Sequence, residues 1–174
     1  MSDPRSNLSL SNPWHLLATG FGSGLSPIVP GTMGTLASVP FYLMLSQLPL
    51  TLYAVVVVFA SLIGIKICQV TSDDMQVHDH GSIVWDEFAG FWITMLIVPL
   101  YQLPVFDWKW LVTGFVLFRF FDMLKPWPIS WLDKRVHGGF GIMIDDLVAG
   151  VMAAISLAAI GYWLEWLPVW DSPV

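Results

Sequence analysis

The sequence predicts an all-α, polytopic transmembrane helical bundle of about four to five spans, with a Gly/Pro-rich N-terminal loop or re-entrant segment ahead of them. Three observations predict it. The 174 residues are 56% hydrophobic and only 11% charged, against roughly 25% charged in soluble domains. A soluble unit of this length lacks the interior to hide that much apolar surface, so lipid is the expected solvent. The apolar residues gather in long runs, with most of the charge in short stretches between them. Ten Trp and four Tyr also suit a chain that meets the membrane–water interface, where both rings are favoured.

Residues 1–13 are polar and lack an apolar core, so they read as a tail and not as a signal peptide. Trp14 to Gly34 is dense in glycine and proline, which opposes a regular helix. It is also apolar (Leu25, Ile28, Val29), so it reads as a loop or re-entrant segment packed against protein. Thr35 to Leu50 is a first span, weakened by Pro40. Leu52 to Val70 is the clearest span, and residues 71–82 form a polar loop. Phe88 to Tyr101 and Trp108 to Phe118 reach spanning length only if Ile83–Glu87 and Arg119–Leu124 join them. Leu147 to Leu164 is the last span, preceded by Asp145 and Asp146. One membrane-embedded unit over residues 14–167 follows, with a short tail at 168–174.

The positive charges orient this arrangement. With spans alternating sides, Arg5, Lys66, Arg119, Lys125, Lys134 and Arg135 share one side, and the other has only Lys109. The positive-inside rule makes the first side cytoplasmic. Asp73, Asp74, Asp79, Asp86, Glu87, Asp122, Asp133, Asp145 and Asp146 fall there too. The net charge of −6 argues against a nucleic-acid partner. It also conflicts with binding an anionic phosphate, unless a divalent cation intervenes. The single Cys68 lies in an apolar run and reads as a small buried residue.

The chemistry concentrates in two pairs, Asp86-Glu87 and Asp145-Asp146, each expected where a span begins. Ionised carboxylates at membrane depth are costly unless paired or bound to a cation. Helix N-termini offset part of that cost. Mg²⁺ takes hard oxygen ligands, so Asp86, Glu87, Asp145 and Asp146 are the candidate metal ligands, with Asp122 beside them. Each pair has a glycine one turn on, at Gly90 and Gly150, which predicts that the two helices touch closely there. Arg119, Asp122 and Lys125 fall at i, i+3 and i+6; on a continuous helix they share a face, and the two cations suit a phosphate. The same pattern also fits an intrahelical ion pair with snorkelling cations. The glycine-rich stretch offers backbone N–H groups at Gly31 and hydroxyls at Thr32 and Thr35. Asp79 and His80 are possible accessory groups, as His78 and His137 are; solvated loop positions fit them equally. His15 reads as an interface residue.

Familiar phosphatase machinery based on cysteine, Asp-x-Asp or histidine nucleophiles is absent from the sequence, which leaves carboxylate–metal chemistry. A rival from another class is a divalent-cation transporter or channel using intramembrane carboxylates. It predicts acids through the depth of the bilayer, whereas these gather at one end of the spans. A non-catalytic scaffold leaves the acidic pairs without a purpose.

These elements together resemble the bacterial phosphatidylglycerophosphatase A family. The matching residues are Gly22-x-Gly24 with Pro30-Gly31-Thr32-x-Gly34-Thr35, then Ile83-Val84-Trp85-Asp86-Glu87-x-x-Gly90. After them come Phe118-Arg119-x-Phe121-Asp122-x-x-Lys125-Pro126-x-Pro128 and Gly139-x-Gly141-Ile142-Met143-x-Asp145-Asp146-x-x-Ala149-Gly150. The resemblance runs from about Trp14 to Gly161. Asp79-His80 departs from the Asp-Pro of the family pattern. The resemblance implies a Mg²⁺-dependent, multi-pass enzyme of the bacterial inner membrane. Such an enzyme converts phosphatidylglycerophosphate to phosphatidylglycerol and inorganic phosphate during phospholipid synthesis. It implies a catalytic domain over residues 14–167 with its site facing the cytoplasm.

Overall fold

The computed structural model describes residues 3–167; the expected C-terminal tail at 168–174 lies outside them. Every regular element among the described residues is helical. Asn12 opens α1 (Pro13–Ala18), its side chain accepting from the Trp14 N–H, with Pro13 at the first helical position. A 3-10 turn, Ser23–Leu25, leads to α2 (Pro30–Leu45). Then follow α3 (Leu50–Met75), α4 (Trp85–Thr94) and the single turn α5 (Ile97–Leu100). After them come α6 (Trp108–Leu124), α7 (Ile129–Asp133) and α8 (Gly138–Trp163).

Several expected boundaries move. The stretch from Trp14 to Gly34 is not a continuous loop. It holds α1 and the first turn of α2, because Pro30 suits a helix start, where its missing N–H costs nothing. The first expected span therefore runs over Pro30–Leu45 and stops at Ser46. Asp73 and Asp74, expected in a loop, lie on the last turn of α3, which ends when Gln76 turns left-handed at φ 56°. The stretch Phe88 to Tyr101 is broken, since the ring of Pro99 cannot coexist with a helical carbonyl at Met95. The last helix starts at Gly138, so Asp145 and Asp146 sit in its third turn and not at its start. The helix reaches that far back because its first N–H groups have partners. Gly138 N–H donates to His78 Nε2 at 2.8 Å and Gly139 N–H to Gln69 Oε1 at 2.6 Å. His15 is buried; its Nδ1 accepts from the Ser9 N–H at 3.0 Å and its Nε2 meets Asp74 Oδ2 at 2.8 Å.

Two helices, α3 and α8, are each 26 residues long and apolar enough to cross a membrane. At 1.5 Å per residue each reaches about 39 Å. Helix α4 is the axis of the molecule: α2, α3, α6 and α8 all pack on it, and most of its residues are buried. Its closest neighbour is α8. There Gly150 lies against the carbonyl of Gly90, and Gly90 against the carbonyl of Asp146, so a Cβ at either would collide with backbone. This is the close approach expected from the two glycines. Phe88, Trp85 and Trp92 stack around α4, and the indole of Trp92 donates to Ser38 O at 3.2 Å. That bond holds α2 against α4.

Candidate active site

Asp86 and Glu87 occupy the first turn of α4, at 9% and 8% exposure. Asp145 and Asp146 are equally buried on α8, and Asp122 is half-buried on the last turns of α6. They line one cavity of about 270 Å³, together with Gly31, Asp79, Arg119 and Lys125. Within it Glu87, Asp122 and Asp146, from three different helices, bring carboxylate oxygens within 4.8 Å of one another. Asp86 lines the same cavity and accepts the Glu87 backbone N–H at 3.1 Å.

Two cations divide these acids between them. Arg119 Nη1 reaches Glu87 Oε1 at 3.0 Å and also pairs with Asp122, one turn along its own helix. It stands 3.4 Å from Thr35 Oγ1, whose hydroxyl donates to Gly31 O at 3.0 Å. The intrahelical ion pair therefore forms, but Arg119 serves α4 as well. Lys125 does not extend the face of α6. It turns left-handed, φ 43°, as the helix ends. Its Nζ then lies 2.6 Å from Asp133 Oδ1 and 3.0 Å from Asp145 Oδ2. Burial opposes the ammonium, but these two carboxylates hold its pKa above the ordinary lysine value. The Lys125 hydrogen bond in turn keeps the Asp133 carboxyl below the usual range.

The other expected groups separate. Thr35 is buried against Arg119, while Thr32 is half-buried on α2 and outside the cavity lining. Asp79 stands at the cavity mouth. His80 is not in the lining; its Nδ1 accepts the Ser82 N–H at 3.1 Å, which shapes the loop before α4. His78 and His137 stack edge to face, 5.2 Å apart, where α8 begins. Two contributors escape sequence reasoning. Asp133 gives no signal beyond its charge, because only the short α7 folds it back onto Lys125. Gly34 matters by its bareness: a Cβ there would strike Glu87 Oε2 and Val84.

The donor set fits a hard divalent cation. Glu87 Oε2, Asp145 Oδ1 and Asp146 Oδ2 are buried and without a hydrogen-bond partner. Buried carboxylate oxygens without partners cost free energy that a bound cation removes. Glu87, Asp122 and Asp146 are thus a buried acidic group able to hold a metal ion.

The model of the family described as phosphatidylglycerophosphatase A matches residues 16–161, which contain every residue of this cavity. The chain belongs to the phosphatidylglycerophosphatase A family. It is 60% identical over 158 residues to phosphatidylglycerophosphatase A of Escherichia coli (strain K12), covering 91% of this chain and 89% of that one. The Haemophilus influenzae (strain Rd) phosphatidylglycerophosphatase A is 46% identical over 164 residues, covering 94% and 98%. A Bacteroides thetaiotaomicron protein, provisionally described as a phosphatidylinositol-3-phosphatase, is 37% identical over 155 residues, covering 86% and 93%. No solved structure matches the chain significantly. This phosphatidylglycerophosphatase A family member is therefore a phosphatase by its kin, and its carboxylate cavity lies inside the region that defines the family.

Proposed function

We propose that this chain is a Mg²⁺-dependent lipid phosphatase that hydrolyses phosphatidylglycerophosphate to phosphatidylglycerol and inorganic phosphate. The observation that carries the reading is the meeting of Glu87, Asp122 and Asp146, from three helices, beside Arg119. Two relatives at 60% and 46% identity bear the corresponding name.

In this reading Asp86, Glu87, Asp122, Asp145 and Asp146 form the metal and catalytic group, and a Mg²⁺ held there supplies charge neutralisation and Lewis acidity at a phosphate oxygen. Arg119 and Lys125 bind the remaining phosphate oxygens, Gly31 borders the head group, and Thr35 steadies Arg119 from behind. Water attacks phosphorus as the ester P–O bond breaks. A spare carboxylate, such as Asp86 on the cavity wall, takes the water's proton and returns it to the departing glycerol oxygen. Arg119 is already held by Glu87 and Thr35, so its guanidinium loses little freedom when phosphate arrives. Trapping a phosphorylated protein with labelled substrate would replace direct water attack by an aspartyl-phosphate route.

The membrane reading goes with it. Residues 14–167 form one catalytic domain in the bacterial inner membrane. Helices α2 and α6 and the interrupted α4–α5 span sit in lipid beside α3 and α8, and the acidic end faces the cytoplasm. Supporting this are the positive charges on that side and the large apolar side chains exposed around the bundle, such as Val58, Phe59, Leu62 and Ile155.

Phosphate release from phosphatidylglycerophosphate in detergent micelles, with Mg²⁺ and with a chelator, tests the reading. Release is expected with Mg²⁺ only, and Asp146→Asn should lose more than about 100-fold of it with an unchanged circular dichroism spectrum. Full activity in that variant would remove the acidic group from the mechanism.

A further inference from the structure

The polar cavity is not confined to the end of the bundle. Met123 lines it and is also 69% exposed, so the cavity reaches the lateral surface of the bundle beside α6. On the facing side the lining residues are Pro30 and Gly31 at the start of α2. Helices α2 and α6 both pack on α4, and neither packs extensively on the other. They meet where Arg119 reaches Thr35. Below that bridge the helical repeat fixes which residues face the gap. On α2, Thr32, Thr35 and Val39 recur at i, i+3 and i+7. On α6, Val112, Val116, Arg119 and Met123 recur at i, i+4, i+7 and i+11. Val112 and Val116 are 50% and 57% exposed. Phe115, beside them, touches Phe91 of α4 at 6.1 Å between ring centres and floors the gap. The mouth carries Ile28 and Val29 on one side and Met123 and Leu124 on the other, all more than half exposed. A highly charged cavity with an apolar lateral mouth suits a molecule that is anionic at one end and hydrocarbon at the other.

We propose that the crevice between α2 and α6 is the binding site for the acyl chains of the phospholipid substrate. The lipid enters sideways from the bilayer, and its phosphate slides past Met123 to Arg119 without leaving the membrane. This rests on the lipid phosphatase reading and adds to it the place of the hydrocarbon. The continuity of the crevice with the carboxylate cavity names the occupant. A second apolar groove, lined by Ala54, Val58, Leu62, Ile93 and Leu147, lies where α3, α4 and α8 meet, and its walls are almost wholly hydrocarbon. It offers nothing to an anionic end.

The test has two arms. Val39→Trp and Val116→Trp narrow the crevice without touching the carboxylates. Each should lower kcat/KM for dipalmitoyl phosphatidylglycerophosphate by about tenfold or more, and for the dihexanoyl form by less than about twofold. Equal loss on both chain lengths, in variants that melt with the parent, overturns the proposal; so does no loss on either. In the second arm, a phosphatidylglycerophosphate carrying an acyl-chain diazirine is photolysed on the parent protein and the label is mapped. Label on α2 and α6 is expected. Label in the α3–α4–α8 groove, or spread evenly around the bundle, overturns it. If the parent releases no phosphate yet the label still maps to α2 and α6, the phosphatase reading fails and the crevice stands.

Discussion

Arg119 brings one positive charge among carboxylates that outnumber it; its Nη1 pairs with both Glu87 of α4 and Asp122 of α6, which leaves the Nε side of its planar fork unpartnered. Lysine would keep the charge and lose the fork. Arg119→Lys should therefore lower kcat/KM by about 10- to 100-fold, the equivalent of one charged hydrogen bond, with KM rising and the fold retained, as steady-state kinetics and circular dichroism will read. The second cation acts through Asp133. Because the Asp133 carboxyl titrates below its ordinary value in the folded protein, its contribution to stability is present above that value and disappears as pH falls through the lowered one. The melting-temperature gap between the parent and Asp133→Asn should be full at about pH 6 and close as pH drops below the unperturbed 3.8. A gap that stays constant to low pH would detach Asp133 from Lys125.

Elements, and not single residues, bring the acids to one point. Glu87 stands on the first turn of α4, Asp146 on the third turn of α8 and Asp122 near the end of α6. The crossing of α4 and α8 at Gly90 and Gly150 determines how near the first two come. A leucine at Gly150 must displace the Gly90 backbone, and overpacking of this kind costs about 1–3 kcal/mol. Gly150→Leu should melt earlier than the parent in detergent and lose Mg²⁺-dependent activity together with stability. The α2 helix depends on the same device. Gly31 and Gly34 let its first turns lie on Glu87 and Arg119, where any Cβ would collide.

At the scale of the whole molecule, α4 is enclosed by four helices and the charged cavity lies at one end of it. The membrane arrangement proposed above puts the loop after α3 and the loop before α6 on opposite membrane faces. The native thiol, Cys68, is buried, so an introduced cysteine reports alone. A membrane-impermeant maleimide should label Pro104→Cys in intact cells and Gln76→Cys only after permeabilisation. Both positions are exposed. Labelling of Gln76→Cys in intact cells would reverse the orientation.

What the amino-acid sequence determined on its own was the helical class, the acidic residues that line the cavity and the closeness of two glycine-bearing helices. All three follow from local patterns: hydrophobic run length, adjacent carboxylates, and small residues one turn beyond them. Only the tertiary structure decided which acids meet. The two adjacent pairs do not act as pairs, because neighbours on a helix point about 100° apart. Glu87 and Asp146 turn toward Asp122, while Asp145 turns to Lys125 and to an Asp133 that no local pattern singles out. Helix starts at Pro30 and Gly138 also escaped local reading. A proline or glycine reads as a break until its neighbours are known, and here the partners of the α8 N–H groups come from Gln69 and His78, some seventy and sixty residues away.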